Sequence, residues 1–205
     1  MPKTLFTTSA FALGALLLAS ATSSWAAPTT LQKLYGKDKD KILAGEILVD
    51  TKKIKGKDVP QASVRAVIDA PPDKLWKIIN NCNGYKNTMP RIAASKELSR
   101  NGNKVVCTVT ADMPFPFDDL TGKTQATHTV DKGKHYMREW TLIEGDYSYN
   151  AGKWELFAID GGKRTVVLYQ LLAVPNISLP QWVLEAAQVR SLPNIIEGLR
   201  ERMAK

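Results

Sequence analysis

The spacing of hydrophobic and polar positions changes character twice along this chain. From Thr30 to Ala44 the apolar residues Leu31, Leu34, Tyr35, Ile42 and Leu43 predict a short helix, which Gly45 ends. Glu46 to Lys53 and Val59 to Asp69 then read as strands, with Ile47 and Val49 alternating against polar neighbours. They flank Lys55-Gly56-Lys57-Asp58, so the pair predicts a β-hairpin. Ala70-Pro71-Pro72-Asp73 stops the second arm and opens a helix, because the missing N–H of proline is not needed in a first helical turn. Leu75, Ile78, Ile79 and Cys82 share one face of that helix beside Trp76; Gly84 breaks it, and Tyr85 to Pro90 predicts a second, shorter helical turn.

Strand patterns then run almost unbroken: Ile92 to Arg100, Lys104 to Met113, Gly122 to Asp131, His135 to Glu144, Lys153 to Ile159 and Thr165 to Val174. Turns are marked at Asn101-Gly102-Asn103, Lys132-Gly133-Lys134 and Asp160-Gly161-Gly162. Connections this short predict an antiparallel meander and not the strand-helix alternation of a dinucleotide-binding fold. The chain closes with one long amphipathic helix, Leu179 to Met203. Trp182, Val183, Ala186, Ala187, Val189, Leu192, Ile195, Ile196 and Leu199 form its broad apolar face, and Pro193 predicts a kink. The expected class is therefore α+β: a curved antiparallel sheet wrapped around a long C-terminal helix, with an internal apolar cavity between them.

The amino terminus adds an address. Met1-Pro2-Lys3 is a short positive start, Leu5 to Ala19 is mostly apolar, and Ser24-Trp25-Ala26 has the small-x-small form of a processing site, so residues 1–26 read as a secretory signal peptide. The apolar run is shorter than the ~20 residues a membrane span needs. Residues 27–44 are then an N-terminal helical segment and 45–205 the main domain, exported to what is expected to be a bacterial periplasm. About 180 residues remain after processing, enough for one domain with a sizeable core.

The formal charge is +8, from 28 basic and 20 acidic residues. Lys37, Lys39 and Lys41 alternate with Asp38 and Asp40, whereas Lys52, Lys53, Lys55 and Lys57 surround the Gly56 turn. No helix-turn-helix, zinc-finger or aromatic RNA-reading motif accompanies them, which argues against a nucleic-acid partner. A solvated basic surface and attraction to anionic lipid headgroups both fit, the second implying a transient contact with a membrane.

The pleat predicts which residues look inward. In the strand after His135, Tyr136, Arg138, Trp140 and Leu142 share one face and His135, Met137, Glu139, Thr141 and Ile143 the other. The first set is larger and more aromatic, so it is assigned to the cavity. By the same alternation Trp154, Leu156 and Ala158 face in, Lys153 and Glu155 face out, and Val167, Tyr169 and Leu171 are inward candidates from the last strand. Ordinary core packing explains such aromatics as well as ligand contact does. An inward Arg138 requires a partner, either a carboxylate such as Asp112 or an acidic or carbonyl group on a ligand; a shifted register would instead put it at the rim in water.

Cys82 and Cys107 are the two cysteines of an exported chain, which points to a disulfide, with two separate buried thiols as the alternative. The loop Asp112 to Leu120 carries Met113, Phe115, Phe117 and two prolines. It reads as a cavity lip or membrane-touching tip, or as a loop folded back onto the terminal helix. His128 and His135 fall on faces read as outward or close to loops, without a Ser or Cys nucleophile pattern or an acidic cluster beside them. No catalytic or metal constellation and no cofactor motif emerges.

Val67-Ile68-Asp69-Ala70-Pro71-Pro72-Asp73-Lys74-Leu75-Trp76, Tyr85, Met89-Pro90, Glu144-Gly145, Gly152-Lys153-Trp154, Leu179-Pro180-Gln181-Trp182 and Leu192-Pro193 together resemble the START-like helix-grip superfamily. This superfamily includes lipid-transfer START domains, polyketide cyclases and coenzyme Q-binding proteins. The resemblance runs from about Gly45 to the carboxyl end and implies a long cavity between sheet and final helix. Together with the pleat it makes Trp76, Tyr85, Met89, Tyr136, Arg138, Trp140, Trp154, Leu156, Tyr169 and Trp182 the candidate ligand-binding residues. The scaffold hosts several functions. The first expectation is non-catalytic binding or transport of a hydrophobic ligand, such as a lipid, quinone or sterol-like molecule. A polyketide cyclase-like enzyme, using Arg138, Asp112 or Tyr169, is the second, and a structural or assembly protein of the cell envelope the third.

Overall fold

The computed structural model describes residues 30–205, apart from the side chains of residues 187 and 188; the signal-peptide assignment falls outside this range. Eight strands form one antiparallel sheet: β1 Leu48–Lys52, β2 Gln61–Ile68, β3 Ile92–Asn101, β4 Lys104–Ala111, β5 Leu120–Asp131, β6 His135–Gly145, β7 Tyr147–Ile159 and β8 Arg164–Pro175. Their order is β1-β2-β8-β7-β6-β5-β4-β3. The expected meander is present from β3 to β8, and the β1–β2 hairpin adds to its open edge through β8. Strand β7 begins six residues before the expected Lys153, because Tyr147 to Gly152 pair with the end of β8 despite their polar composition.

Between β2 and β3 the chain must cross from one side of the sheet to its far edge. It does so through α3 Pro72–Ile79, a single turn Cys82–Gly84 and α4 Tyr85–Thr88. Helix α3 buries Leu75 and Ile79 against Ala62, Val64, Ala66 and Ile68 of β2 and against Tyr136, Trp154 and Leu156. The same layer receives Leu192, Ile196 and Leu199 from the final helix, so α3 and the chain terminus share the concave face. Arg200 fastens that helix by donating to the carbonyls of Val67 and Gly45.

The single helix expected over Thr30 to Ala44 is two: α1 Leu31–Tyr35 and α2 Lys39–Leu43. Gly36 ends the first with φ +53°, a conformation that side-chain-bearing residues rarely adopt, and Asp38 precedes the second. Both pack on the opposite face of the sheet, where Leu34, Tyr35 and Ile42 meet Val67, Val166 and Leu168. Arg65 of β2 holds them there, donating to the carbonyls of Leu34 and Tyr35 and to the carboxylates of Asp38 and Asp50.

That outer layer corrects one expectation. Lys153 and Glu155 do lie on the face opposite Trp154, yet both are buried, with Lys153 Nζ 3.0 Å from Glu155 Oε2 and His135 Nε2 3.2 Å from Oε1. Strand alternation assigns a face but does not say whether that face is wet, and each charge here has an opposite or titratable neighbour.

The terminal helix is also not uniform. Helix α5 Gln181–Glu185 runs into a π turn, Ala186–Arg190, before α6 Leu192–Met203. Pro193 is the local cause: it cannot donate to the carbonyl four residues back, at Val189, and its ring pushes that carbonyl aside, so the ladder opens one turn earlier.

Candidate ligand-binding cavity

A row of side chains crosses the concave face through directly paired positions: His128 on β5, Arg138 on β6, Trp154 on β7 and Tyr169 on β8. The rings of Trp154 and Tyr169 stack with centroids 4.2 Å apart, and Trp140 joins them at 6.0 Å from Tyr169. Trp140 reaches across because its cross-strand partner is Gly152; a Cβ there would overlap the indole and the Gln170 carbonyl. The Trp140 indole N–H donates to Asn150 Oδ1 at 3.1 Å, which fixes the ring plane.

Above this row lies a cavity of about 200 Å³. Its floor is Arg138, Trp140, Trp154, Tyr169, Thr124 and Leu171; its sides are Tyr85, Met89, Ile92 and Val109; its roof is Ser191, Leu192 and Ile195 of the terminal helix. Arg91 and Asp112 also line it. They are exposed and form an ion pair at 3.6 Å, so the cavity reaches solvent at the rim where β3 begins and β4 ends.

Six of the ten candidate residues thus meet here: Tyr85, Met89, Arg138, Trp140, Trp154 and Tyr169. The other four do not. Leu156 belongs to the packed core beneath α3. Tyr136 is buried, with its hydroxyl donating to Asp73 and accepting from the Gly133 N–H. Trp76 packs edge-on against His128, centroids 5.0 Å apart, and against Tyr136. Trp182 is 54% exposed on α5, away from the cavity, because the π turn and the loop before α5 leave it on the outer side of the helix.

Arg138 faces inward and is only 3% exposed, but Asp112 is not its partner. Nη1 donates to His128 Nε2 at 2.6 Å, Nη2 to Cys107 Sγ at 3.3 Å, and the guanidinium carbon lies 5.9 Å from the Tyr85 ring centre. Cys107 is bonded to Cys82, with Cα atoms 6.4 Å apart, so the turn after α3 and β4 are stapled beside the guanidinium. The outward reading of His128 is overturned. The even positions Gly122, Thr124, Ala126 and His128 of β5 face the cavity side, and His128 is 7% exposed. Burial first, and the Arg138 charge second, lower its pKa to about 4, so it is a neutral acceptor near pH 7.

The three tyrosines of the site hold their protons more tightly than usual. Tyr85 donates to the Ile79 carbonyl, and burial raises its pKa. Burial likewise raises that of Tyr169 and pushes Tyr147 up to about 12. Among the described residues no group of three or more His, Cys, Asp or Glu side chains is placed to hold a metal ion.

The loop after β4 combines the two expected arrangements. Met113, Leu120 and Phe117 fold back against Val183, Leu179 and Tyr147, while Phe115 at the tip is 95% exposed.

A curved sheet gripping a terminal helix over such a cavity defines a START-like protein. The chain belongs to the family described as polyketide cyclase / dehydrase and lipid transport, whose profile matches residues 68–200. No curated protein matches the sequence. Among solved structures it is similar to the STAR-related lipid transfer protein of Xanthomonas axonopodis, with 19% identity, 78% of this chain and 94% of that one covered, and a TM-score of 0.68. Human StAR-related lipid transfer protein 5 gives 9% identity, coverage of 78% and 82%, and a TM-score of 0.68. Human STARD10 gives 13%, 90% and 83%, and 0.66. At these identities the likeness establishes the helix-grip fold.

Proposed function

We propose that this protein binds a hydrophobic ligand in the cavity and carries it without changing it chemically. The observation that carries this reading is the cavity itself, walled by aromatic and aliphatic side chains, roofed by the terminal helix and opening at one rim. Apolar concave sites with a few convergent polar groups are where small molecules bind. The volume restricts the cargo. At about 200 Å³ it is smaller than the usual ~300–1,000 Å³ of ligand sites, so a one-ring or single-chain body fits as the walls stand, and a bulkier lipid requires the terminal helix to move.

The family also contains cyclases, but the polar groups favour a carrier. A general base needs a free lone pair and a pKa near working pH. His128 has its Nε2 engaged by Arg138, Tyr85 is tied to a backbone carbonyl, and Tyr169 holds its proton more tightly than usual.

The amino-terminal pattern and the buried Cys82–Cys107 bond together support an exported, oxidising location, expected to be a bacterial periplasm. Phe115, Ile177 and Trp182 are exposed at one end of the sheet, in the β4–β5 loop, after β8 and at the start of α5, which supports transient contact with a membrane during loading. Solvent extraction of the purified protein, with native mass spectrometry before and after, tests the main reading. A bound apolar species, or stoichiometric uptake of an apolar fluorophore displaced by lipid extract, is expected; a protein that neither carries nor takes up any apolar compound would rule the carrier out.

A further inference from the structure

Arg138 is a buried cation whose contacts are all formally neutral. The structure gives it a neutral imidazole, a disulfide sulfur and the face of a tyrosine ring, and among the described residues it has no ion pair. Glu97 is the carboxylate whose field reaches it, but Arg100 already holds Glu97 through two bonds, at 2.9 and 2.6 Å. A guanidinium has five N–H groups. Two are used by His128 and Cys107, which leaves three without a hydrogen bond among the described residues, on a group that lines the cavity.

Burying a charge without an opposite charge is costly, and the cost falls when a counterion arrives. The protein nonetheless fixes this cation in place: His128 and Cys107 take one donor each, the staple immobilises the sulfur, and Trp76 packs on the imidazole. Such orientation leaves the remaining donors free for cavity contents. A planar fork of that kind matches a carboxylate best, because two parallel N–H bonds form at once.

Resting on the hydrophobic-ligand reading, we infer that the ligand is a small amphiphilic acid, with its carboxylate on Arg138 and a single ring or short chain against Trp140, Trp154 and Leu192. The size follows from the cavity, since a void of roughly 150 Å³ accommodates benzene and this one is about 200 Å³.

The test is calorimetric titration of the purified protein at neutral pH with three probes of one shape: phenylbutyrate, phenylbutanol and phenylbutylamine. The acid is expected to bind at least about tenfold more tightly than the alcohol, and the amine most weakly, in line with the strength of charge-assisted bonds. In Arg138→Met the acid should lose its advantage and bind no more tightly than the alcohol does to the same variant, and Arg138→Lys should retain part of the preference. The wild-type ratio decides the matter even if a variant fails to fold. Alcohol binding equal to or tighter than acid binding overturns the inference and leaves the carrier reading standing. If no probe binds and no apolar fluorophore enters either, both fall together.

Discussion

His128 and Arg138 face each other at a paired position of β5 and β6, with Nε2 and Nη1 2.6 Å apart. Arginine has only donors to offer, so the imidazole must present a lone pair and stay neutral. Its pKa in the folded protein is about 4, against an ordinary value of 6.5. Between those values the unfolded chain binds a proton that the folded protein refuses. Stability therefore falls as pH drops from about 6.5 towards 4, by up to about 1.4 kcal/mol per pH unit, and this group contributes no slope above that window. His128→Gln, which keeps an acceptor, should flatten this part of a urea-midpoint profile against pH. An unchanged slope would mean that His128 is not held neutral.

The cation in that pair makes a second, opposite prediction about stability. Because Arg138 lacks a counterion among the described residues, replacing it together with its acceptor His128 by similar apolar volume should not weaken the empty protein. Arg138→Met combined with His128→Leu is expected to be neutral or to raise stability by about 1–4 kcal/mol, as when a whole buried polar pair is exchanged for packed side chains. Arg138→Ala combined with His128→Leu leaves a void and should lie about 2 kcal/mol or more below the Met combination. Chemical denaturation of ligand-stripped protein measures both. A Met combination that is clearly destabilised would indicate that the charge has a partner in the empty protein.

Gly152 lets Trp140 cross β7, so a single methyl should be felt throughout the cavity floor. In Gly152→Ala the new Cβ meets both the indole and a backbone carbonyl, and only the indole can yield. Overpacking of this kind costs about 1–3 kcal/mol. The expected result is a lowered denaturation midpoint together with a shift in Trp fluorescence; a wild-type spectrum would show that Trp140 does not lie over Gly152.

Much of this architecture is written in period and punctuation. The meander, its turns and the inward face of β6 follow from alternation between Gly- and Asn-marked turns, and Arg138 falls on the cavity side by parity alone. The same parity was available for His128, since Gly122, Thr124 and Ala126 are the small residues a concave wall needs, but a polar side chain beside an Asp131 turn reads as outward. Its neutral state depends first on burial and then on an arginine ten residues away, across a hairpin, neither of which alternation alone shows. Lys153 and Glu155 illustrate a different limit: pleating assigns their face, while burial depends on what packs over it. Trp182 looks cavity-facing on a regular helix, and the π turn provoked by Pro193 removes the regularity that the projection assumes.

The Cys82–Cys107 bond does two jobs that can be separated. As a staple across 25 residues it should contribute on the order of 3 kcal/mol in the chain-entropy account. As the support for a sulfur that accepts from Arg138, it also orients the guanidinium. Cys82→Ala breaks the bond and keeps the Cys107 sulfur, whereas Cys82→Ala with Cys107→Ala removes both. Both variants should lose similar stability in urea, but the double variant should lose more affinity for an acidic ligand. Equal affinities would confine the sulfur to a structural role.

One end of the sheet gathers two kinds of exposed group. Phe115 projects from the β4–β5 loop, Ile177 follows β8, and Trp182 begins α5, all at the end of the sheet where the β1–β2 turn also lies. That turn carries Lys52, Lys53 and Lys55 in solvent, and Lys57 packs 4.4 Å above the Tyr149 ring, which anchors the basic turn against β7. Asp118 and Asp119 on the neighbouring loop oppose an anionic surface, so docking there requires the lysines and the apolar tips together to outweigh them. Flotation with vesicles containing phosphatidylglycerol should therefore capture the protein more than flotation with phosphatidylcholine alone, with the difference falling as salt rises. Phe115→Asp with Trp182→Ala should abolish capture on both, and Lys53→Glu with Lys55→Glu should remove only the preference for anionic lipid. None of these positions touches the cavity lining, so uptake of a soluble ligand should stay at the wild-type level in all of them. Capture that survives the Phe115 and Trp182 changes would place membrane contact elsewhere on the molecule.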